Sequence, residues 1–330
     1  MGSMARFWAI LWMLFFLILP NTVPAGQMNF SWSSESGVFA PLWVTKEAKI
    51  FEKYGNQVQL IFIQGATLSA AAVISGEIQV GSFSPQVVIT SNMQGLDLVM
   101  VSRLGNFLEN QIFGKKGITD PKQIKKLAIS RLGSSADLAS RILLERSGVR
   151  PDADVTFLQV GNQSNRLMAI ETGNTDAAVL TPPMTLQARK MGFPLLIDGI
   201  KLGIPYTSNM LVARKAYVAK NREEARNFVK AIIDGIHYYK TNKNFSLRII
   251  SKYMKITDPE VLEENFRAYD FSLKPYPAKE YFALPLQEVA KKDPKALKEN
   301  PERFADSSLI KELDESGFID NLTRDYGLKK

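Results

Sequence analysis

Gly133-Ser134-Ser135-Ala136-Asp137 opens a stretch that continues through Val155-Thr156-Phe157-Leu158-Gln159 and Gly161. It ends at Gly173-Asn174-Thr175-Asp176-Ala177-Ala178-Val179-Leu180-Thr181-Pro182. The pattern is a turn feeding a helix, an apolar strand, a short helix and a second apolar strand. About 96 residues earlier the same order runs through Val58-Gln59-Leu60-Ile61-Phe62, Gly65 and Gly76-Glu77-Ile78-Gln79-Val80-Gly81-Ser82-Phe83-Ser84-Pro85. Gly76 and Pro85 are nine residues apart, as are Gly173 and Pro182. Two short apolar strands joined by a helix form a βαβ unit, and a repeated unit predicts two α/β lobes with a cleft where their loops meet.

Outward from this stretch, the first copy extends to both sides. Met28, Phe30 and Trp32 alternate with polar residues as a first strand, followed by the turn Ser33-Ser34-Glu35-Ser36-Gly37. An amphipathic helix carrying Leu42, Trp43, Ile50 and Phe51 follows and stops at Gly55. Further strands are expected at 58–63, 78–81 and 98–101, with helices between them, which gives a mostly parallel sheet covered on both faces. The pattern loosens over 103–119, read as a crossing into lobe two, whose strands are expected at 127–130, 155–159, 177–180 and 195–197. It loosens again over 203–209, after which 210–213 reads as a strand returning to lobe one. The expected organisation is lobe one at 26–110 and 208–330, lobe two at 111–207, and a hinge near 103–119 and 203–209. Beyond Asn221 the chain turns helical, with Ala225, Phe228, Val229, Ile232, Ile233 and Ile236 at helical spacing. These C-terminal helices are expected on the outside of lobe one, and the charge-rich 291–303 reads as a solvated linker.

The 330 residues suffice for two domains with separate cores, and the 45% hydrophobic and 22% charged content is that of a globular chain. The net charge of +8 comes from scattered lysines and arginines without a basic run, so nucleic acid is not an expected partner. There is no cysteine, which removes disulfides, thiol nucleophiles and cysteine metal sites. Met1-Gly2-Ser3 ahead of Met4 has the form of a cloning scar. Arg6, an apolar run from Phe7 to Leu19 and the small-residue exit at Val23-Pro24-Ala25 then form a signal-peptide pattern over 1–25. The run is short for a membrane span. The expected location is therefore outside the cytoplasm.

In open parallel α/β sheets, ligands bind beyond the carboxyl ends of the strands. Lobe one offers Ser33, Ser34 and Glu35, then Gln64, Gly65, Ala66 and Thr67, then Ser82, Phe83 and Ser84. Lobe two offers Arg131, Gly133, Ser134 and Ser135, then Gly161, Asn162 and Gln163, then Thr181 and Pro182. Small, hydroxyl and amide residues leave backbone N–H groups open, and helix N-termini add partial positive charge, which suits a small anionic group. Capping is the competing role for Ser134, Ser135 and Thr67; Asp137 completes an approximate capping box with Ser134 and, with Glu35, is also a candidate contact for an amine-bearing or pyrimidine-like ligand. Arg131 suits an anion contact or a surface ion pair, and Glu35 a ligand amine or solvent. Phe39 and Phe83 are candidates for stacking on a ligand ring or for core packing. The only histidine, His237, lies in the helical region away from these loops. One histidine and no cysteine exclude Cys/His, multi-histidine zinc and Ser-His-Asp centres. No phosphate-loop motif occurs, and the expectation is a chain without catalytic residues, cofactor or metal.

Pro41-Leu42-Trp43-Val44, Glu47-Ala48 and Ile50-Phe51-Glu52-Lys53-Tyr54-Gly55 resemble the first helix of ABC-importer solute-binding proteins, in the subgroup that binds sulfonates, nitrate, taurine and thiamine pyrimidines. Ser75-Gly76-Glu77-Ile78-Gln79 resembles that subgroup's Ser-Gly-Glu-Ile-Asp step, with Gln79 in place of the acid. Gly133-Ser134-Ser135 and Asp176-Ala177-Ala178 resemble its second-lobe loop and strand. The resemblance spans about Met28 to Tyr269. It implies a two-lobed periplasmic-binding-protein fold of type II with a C-terminal helical extension. It further implies a periplasmic monomer that captures a small polar solute, anionic or zwitterionic, and hands it to a permease and ATPase, meeting the membrane only through the permease. Two other readings stand beside it. One is an enzyme of the thiamine-pyrimidine pathway on the same scaffold, whose relatives use pyridoxal phosphate and a cysteine-rich iron motif that this chain lacks. The other is a sensory binding module.

Overall fold

A computed structural model describes residues 27–204, 206, 207, 209–269 and 271–329. The expected signal peptide and cloning scar lie outside these residues. Four apolar segments form strands β1 (Gln27–Trp32), β2 (Gln57–Phe62), β3 (Val80–Phe83) and β4 (Leu98–Leu104). The chain then crosses to β5 (Gln111–Gly114), β6 (Lys126–Ile129), β7 (Thr156–Gln159), β8 (Ala177–Leu180) and β9 (Leu195–Asp198), and returns as β10 (Asn209–Arg214). Two five-stranded sheets result, ordered β2-β1-β3-β10-β4 and β7-β6-β8-β5-β9.

The two orders are one topology used twice. β1, β2, β3 and β4 correspond to β6, β7, β8 and β9, whose starts follow 97 to 99 residues later (Gln27 to Lys126, Gln57 to Thr156, Val80 to Ala177, Leu98 to Leu195). In each sheet two parallel pairings join the first three strands, and the strand that arrives from the other sheet inserts antiparallel to its neighbours. β10 lies between β3 and β4, and β5 between β8 and β9. Each sheet is thus mixed, with four strands pointing one way. Their carboxyl ends face a common space between the sheets.

Apolar side chains fill both faces of each sheet. On one face of the first sheet the helix Arg222–Thr241 lays Phe228 between Phe30 and Phe51, with ring centroids 5.7 and 5.5 Å away. Gly235 lets this helix press against Ala40–Glu47, because a Cβ there would overlap the Thr45 hydroxyl. Phe83, Phe282 and Phe304 fill the opposite face. The second sheet is covered by Leu138, Ile142 and Leu143 on one side and by Leu167, Ile170 and Met184 on the other.

Several expectations are corrected. The first helix is two, Ala40–Glu47 and Ile50–Lys53, separated by Lys49 in a left-handed conformation (φ 56°). The break turns both Ile50 and Phe51 inward. β3 starts later than expected and includes Ser82 and Phe83, because β10 pairs Leu211 with Ser82 and Met210 with Phe83. The crossing at 103–119 contains the end of β4 and all of β5. The segment 291–303 is solvated as expected, with only Ala296 buried, but it is not an irregular linker. It folds into the 3₁₀ turns Pro294–Lys298 and Pro301–Phe304, and just beyond it Phe304 is buried and Asp306 N donates to Met100 O at 2.9 Å. The C-terminal helices do not all stay on the first sheet. Pro259–Ala268 docks on Met184–Lys190, with Val261 in the second sheet's core and Arg189 paired to Glu264 at 3.0 Å. The last helix, Phe318–Asp325, was not expected; Ile319 and Leu322 hold it in the core.

Candidate functional site

Between the carboxyl ends of the two sets of strands lies a cavity of about 60 Å³. From the first sheet, Ser33, Ser34, Glu35 and Ser36 follow β1, while Phe62 ends β2 and Gln64, Gly65 and Ala66 follow it. From the second, Ser130, Ser134, Ser135 and Ala136 follow β6, Gly161, Asn162, Gln163 and Arg166 follow β7, and Thr181 follows β8. Glu109 and Asn110 come from the crossing between β4 and β5, and Asn209 from the start of β10.

Of the residues singled out in the sequence, Ser33, Ser34, Glu35, Gln64, Gly65, Ala66, Ser134, Ser135, Gly161, Asn162, Gln163 and Thr181 line the space. The others stand behind or beside it. Phe39 is fully buried against Trp32 and Trp43, with centroids at 5.9 and 6.4 Å, and Phe83 is fully buried in the core. Both rings pack the core, and neither stacks on anything in the cavity. Ser82 and Ser84 are buried, and the Ser82 carbonyl accepts from the Ser33 hydroxyl at 3.0 Å. Thr67 is exposed on the helix Ala66–Ser75, one residue past the wall. Arg131 is exposed beside Gly65, where an added Cβ would stand 3.0 Å from Arg131 Cδ.

Asp137 turns away from the cavity and supports the loop in front of it. Its carboxylate accepts from Gly133 N at 2.8 Å and pairs with Arg141 Nε at 2.9 Å, while its own N–H is capped by Ser134 Oγ at 3.3 Å. Gly133 takes a φ of 77°, which suits glycine. The Pro182 carbonyl accepts from Tyr269 OH at 2.8 Å.

Side chains from the two sheets meet across the space. Gln163 Nε2 donates to Glu35 O and Thr181 N donates to Gln163 Oε1, each at 2.6 Å. Thr181 Oγ1 donates to Ser36 Oγ at 3.2 Å, and Ser36 Oγ lies 2.9 Å from Tyr269 OH. One glutamine therefore ties the β1 loop to the β8 loop.

Among the described residues, three charged side chains line the cavity. Arg166 is 5% exposed; its guanidinium donates to Asn162 O at 3.4 Å and to Val179 O. Burial lowers its pKa to about 10, with the Glu35 charge opposing, so it stays cationic at neutral pH. Glu109 is 6% exposed, and the Tyr206 and Tyr269 phenols are pushed well above their usual range by burial and by its carboxylate. Sequence reasoning missed Arg166, although its position three residues after Gln163 puts it on the same helix face. It also missed Glu109 and Asn110. Their signal was the polar run Glu109-Asn110-Gln111 between Phe107-Leu108 and Ile112-Phe113.

His237 lies away from the cavity and is fully buried, with Nδ1 2.8 Å from Ile233 O and Nε2 2.9 Å from Thr323 Oγ1. Burial lowers its pKa, opposed by the Ile233 carbonyl and the Asp234 charge. The folded-state value lies below the unfolded one of about 6.5, so protonation favours the unfolded chain. This contribution is complete above about pH 7, declines as pH falls through the unfolded value, and levels off below the folded-state value. Melting curves should show the wild type losing ground to His237→Gln between pH 7 and 5; a constant gap would refute this. Among the described residues no group of three His, Cys, Asp or Glu side chains could hold a metal ion, and no helix is long and apolar enough to cross a membrane.

The family model described as NMT1/THI5 like matches residues 36–244. No curated protein sequence matches the chain. A protein of Bordetella bronchiseptica RB50 superposes with a TM-score of 0.77 at 18% identity, over 88% of this chain and 97% of the other. The periplasmic nitrate-binding protein NrtA of Synechocystis PCC 6803 gives 0.72 at 16% identity, over 89% of each chain. The periplasmic aliphatic sulphonate binding protein SsuA of Escherichia coli gives 0.67 at 19%, over 84% of this chain and 91% of the other. The fold is that of the periplasmic binding proteins.

Proposed function

Since the chain belongs to the NMT1/THI5-like family, we propose that it is the extracytoplasmic solute-binding component of an ABC importer and not an enzyme. It captures a small polar organic solute, anionic or zwitterionic, between two lobes and delivers it to a permease and ATPase. The observation that carries this reading is the cavity walled by loops of both sheets, lined mainly by serine, threonine, asparagine and glutamine residues. Such a lining can orient a polar ligand, and closure removes the water that would weaken its contacts. The crossings at 104–111 and 198–209 are the hinge in this reading, and residues 1–25 the export signal. The Ser33–Glu35, Gln64–Ala66, Ser134–Ser135, Asn162 and Thr181 loops contact the solute directly.

A thermal-shift screen of the protein against sulfonates, carboxylates, amino acids, nitrate and pyrimidines tests the reading. A solute at 100 times its dissociation constant should add about 2.7 kcal/mol to stability. A rise in melting temperature together with compaction in solution scattering is the expected result. Binding without any change in lobe separation would count against capture by closure.

A further inference from the structure

We propose that Glu109 and Asn110 bind a protonated nitrogen of the solute, so that the cavity accepts amine-bearing zwitterions and rejects the corresponding plain anions. This inference rests on the solute-binding reading above and narrows it. Among the described residues the charged lining is Glu35, Glu109 and Arg166, two carboxylates and one guanidinium. A plain anion would bring a third negative charge to a cavity lined, among the described residues, by two carboxylates and one guanidinium, at a cost in like-charge repulsion. A zwitterion places its ammonium against a carboxylate and its acidic group elsewhere in the same space.

Asn110 supplies an independent observation. It is 4% exposed, lines the cavity, and its side-chain oxygen meets no hydrogen-bond donor. A buried amide in that state calls for a partner, and a solute N–H group is suited to supply it. Whichever way the amide is turned, it contributes a polar group to the same cavity as Glu109.

The other end of the solute has its own reception. The helices Ser135–Arg146 and Gln163–Glu171 both start at the cavity, and their N-terminal residues Ser135, Ala136 and Gln163 line it next to Arg166. N-terminal amides and a guanidinium suit a carboxylate or sulfonate.

The position of the Glu109–Asn110 pair is fixed by the second crossing. Leu108 N donates to Ile204 O at 3.1 Å, and Gly199 N donates to Asn110 O at 3.0 Å. Gly199 allows this approach, since a Cβ there would collide with the Asn110 carbonyl. The nitrogen-reading groups therefore stand where the two lobes are joined.

Calorimetric titration of the wild type with matched pairs tests the proposal: 3-aminopropanoate against propanoate, 4-aminobutanoate against butanoate, and 2-aminoethanesulfonate against ethanesulfonate. The amine-bearing member of at least one pair should bind about 30-fold or more tightly than its partner. Glu109→Gln, close to the same shape, should reduce that ratio to within about threefold, while its melting temperature without solute stays near that of the wild type. The pair comparison needs only the wild type, so it holds even if the variant folds poorly. Equal binding of both members of each pair, or an unchanged ratio in Glu109→Gln, overturns the proposal and leaves the solute-binding reading intact. So does closure on a solute without a protonated nitrogen. A protein that binds none of the pairs, and no other solute in the wider screen, loses both readings.

Discussion

Asp234→Ala should lower the unfolding free energy by about 3–5 kcal/mol, the cost of removing one partner from a buried charged network. Asp234 is fully buried on the helix Arg222–Thr241 and takes three donors from two other parts of the chain. Lys53 Nζ stands 2.7 Å away, Tyr54 OH 2.8 Å and Tyr326 OH 2.7 Å. Burial and this carboxylate push both phenols above their ordinary range, which shows how closely they share its field. Alanine would leave the two phenols without an acceptor, and each such loss costs about 1–3 kcal/mol. Lys53 is more than half exposed and can return to water, so it adds little. Asp234→Asn keeps an acceptor and should cost less than half as much. Urea unfolding of both variants measures this. A loss below about 1 kcal/mol for the alanine variant would mean that the C-terminal segment is held by its apolar contacts alone.

The second large effect is on binding. Arg166→Met should weaken the best solute found by screening about 100-fold or more, within the range for removing a buried, hydrogen-bonded charge at an interface. It should change folding stability by less than about 1.5 kcal/mol, because an apolar side chain of similar length removes the desolvation burden along with the charge. Arg166→Lys should not restore affinity, since an ammonium lacks the planar fork that spans the Asn162 and Val179 carbonyls while facing the cavity. Titration calorimetry beside urea unfolding separates the two quantities. Unchanged affinity with lowered stability would make Arg166 a structural tether between the helix Gln163–Glu171 and β8.

Much of this was legible in the sequence because it is written locally. Each parallel strand is a short apolar run bounded by glycine, and the loops after β1, β2, β6, β7 and β8 are read directly from where those runs end. What could not be read depends on partners far along the chain. β3 runs on through Phe83 because β10, about 130 residues later, pairs with it. Phe83 therefore joins the core although its neighbours mark it as a loop residue. Lys49 adopts a left-handed turn that no local signal demands; the gain lies in burying Ile50 and Phe51 beside Phe228. Asp137 looked like a ligand contact because capping and binding draw on the same residue types. Only its bonds to Gly133 and Arg141 separate the two. Glu109 and Asn110 sit in the crossing, where periodicity is lost and sequence patterns carry least information.

The exchange of one strand between the sheets also sets an order on synthesis. A nascent chain emerges amino end first, and the first 104 residues hold every strand of the first sheet except β10. Until residue 214 has emerged, β3 and β4 have no strand between them, and the core face under Phe30 still awaits Phe228. The second sheet, from β5 to β9, lies wholly within the intervening segment and is complete first. The amino-terminal segment thus waits for its carboxyl-terminal half, and long-range pairing of this kind slows folding. A chain built this way carries a first sheet that lacks an inner strand for most of its synthesis.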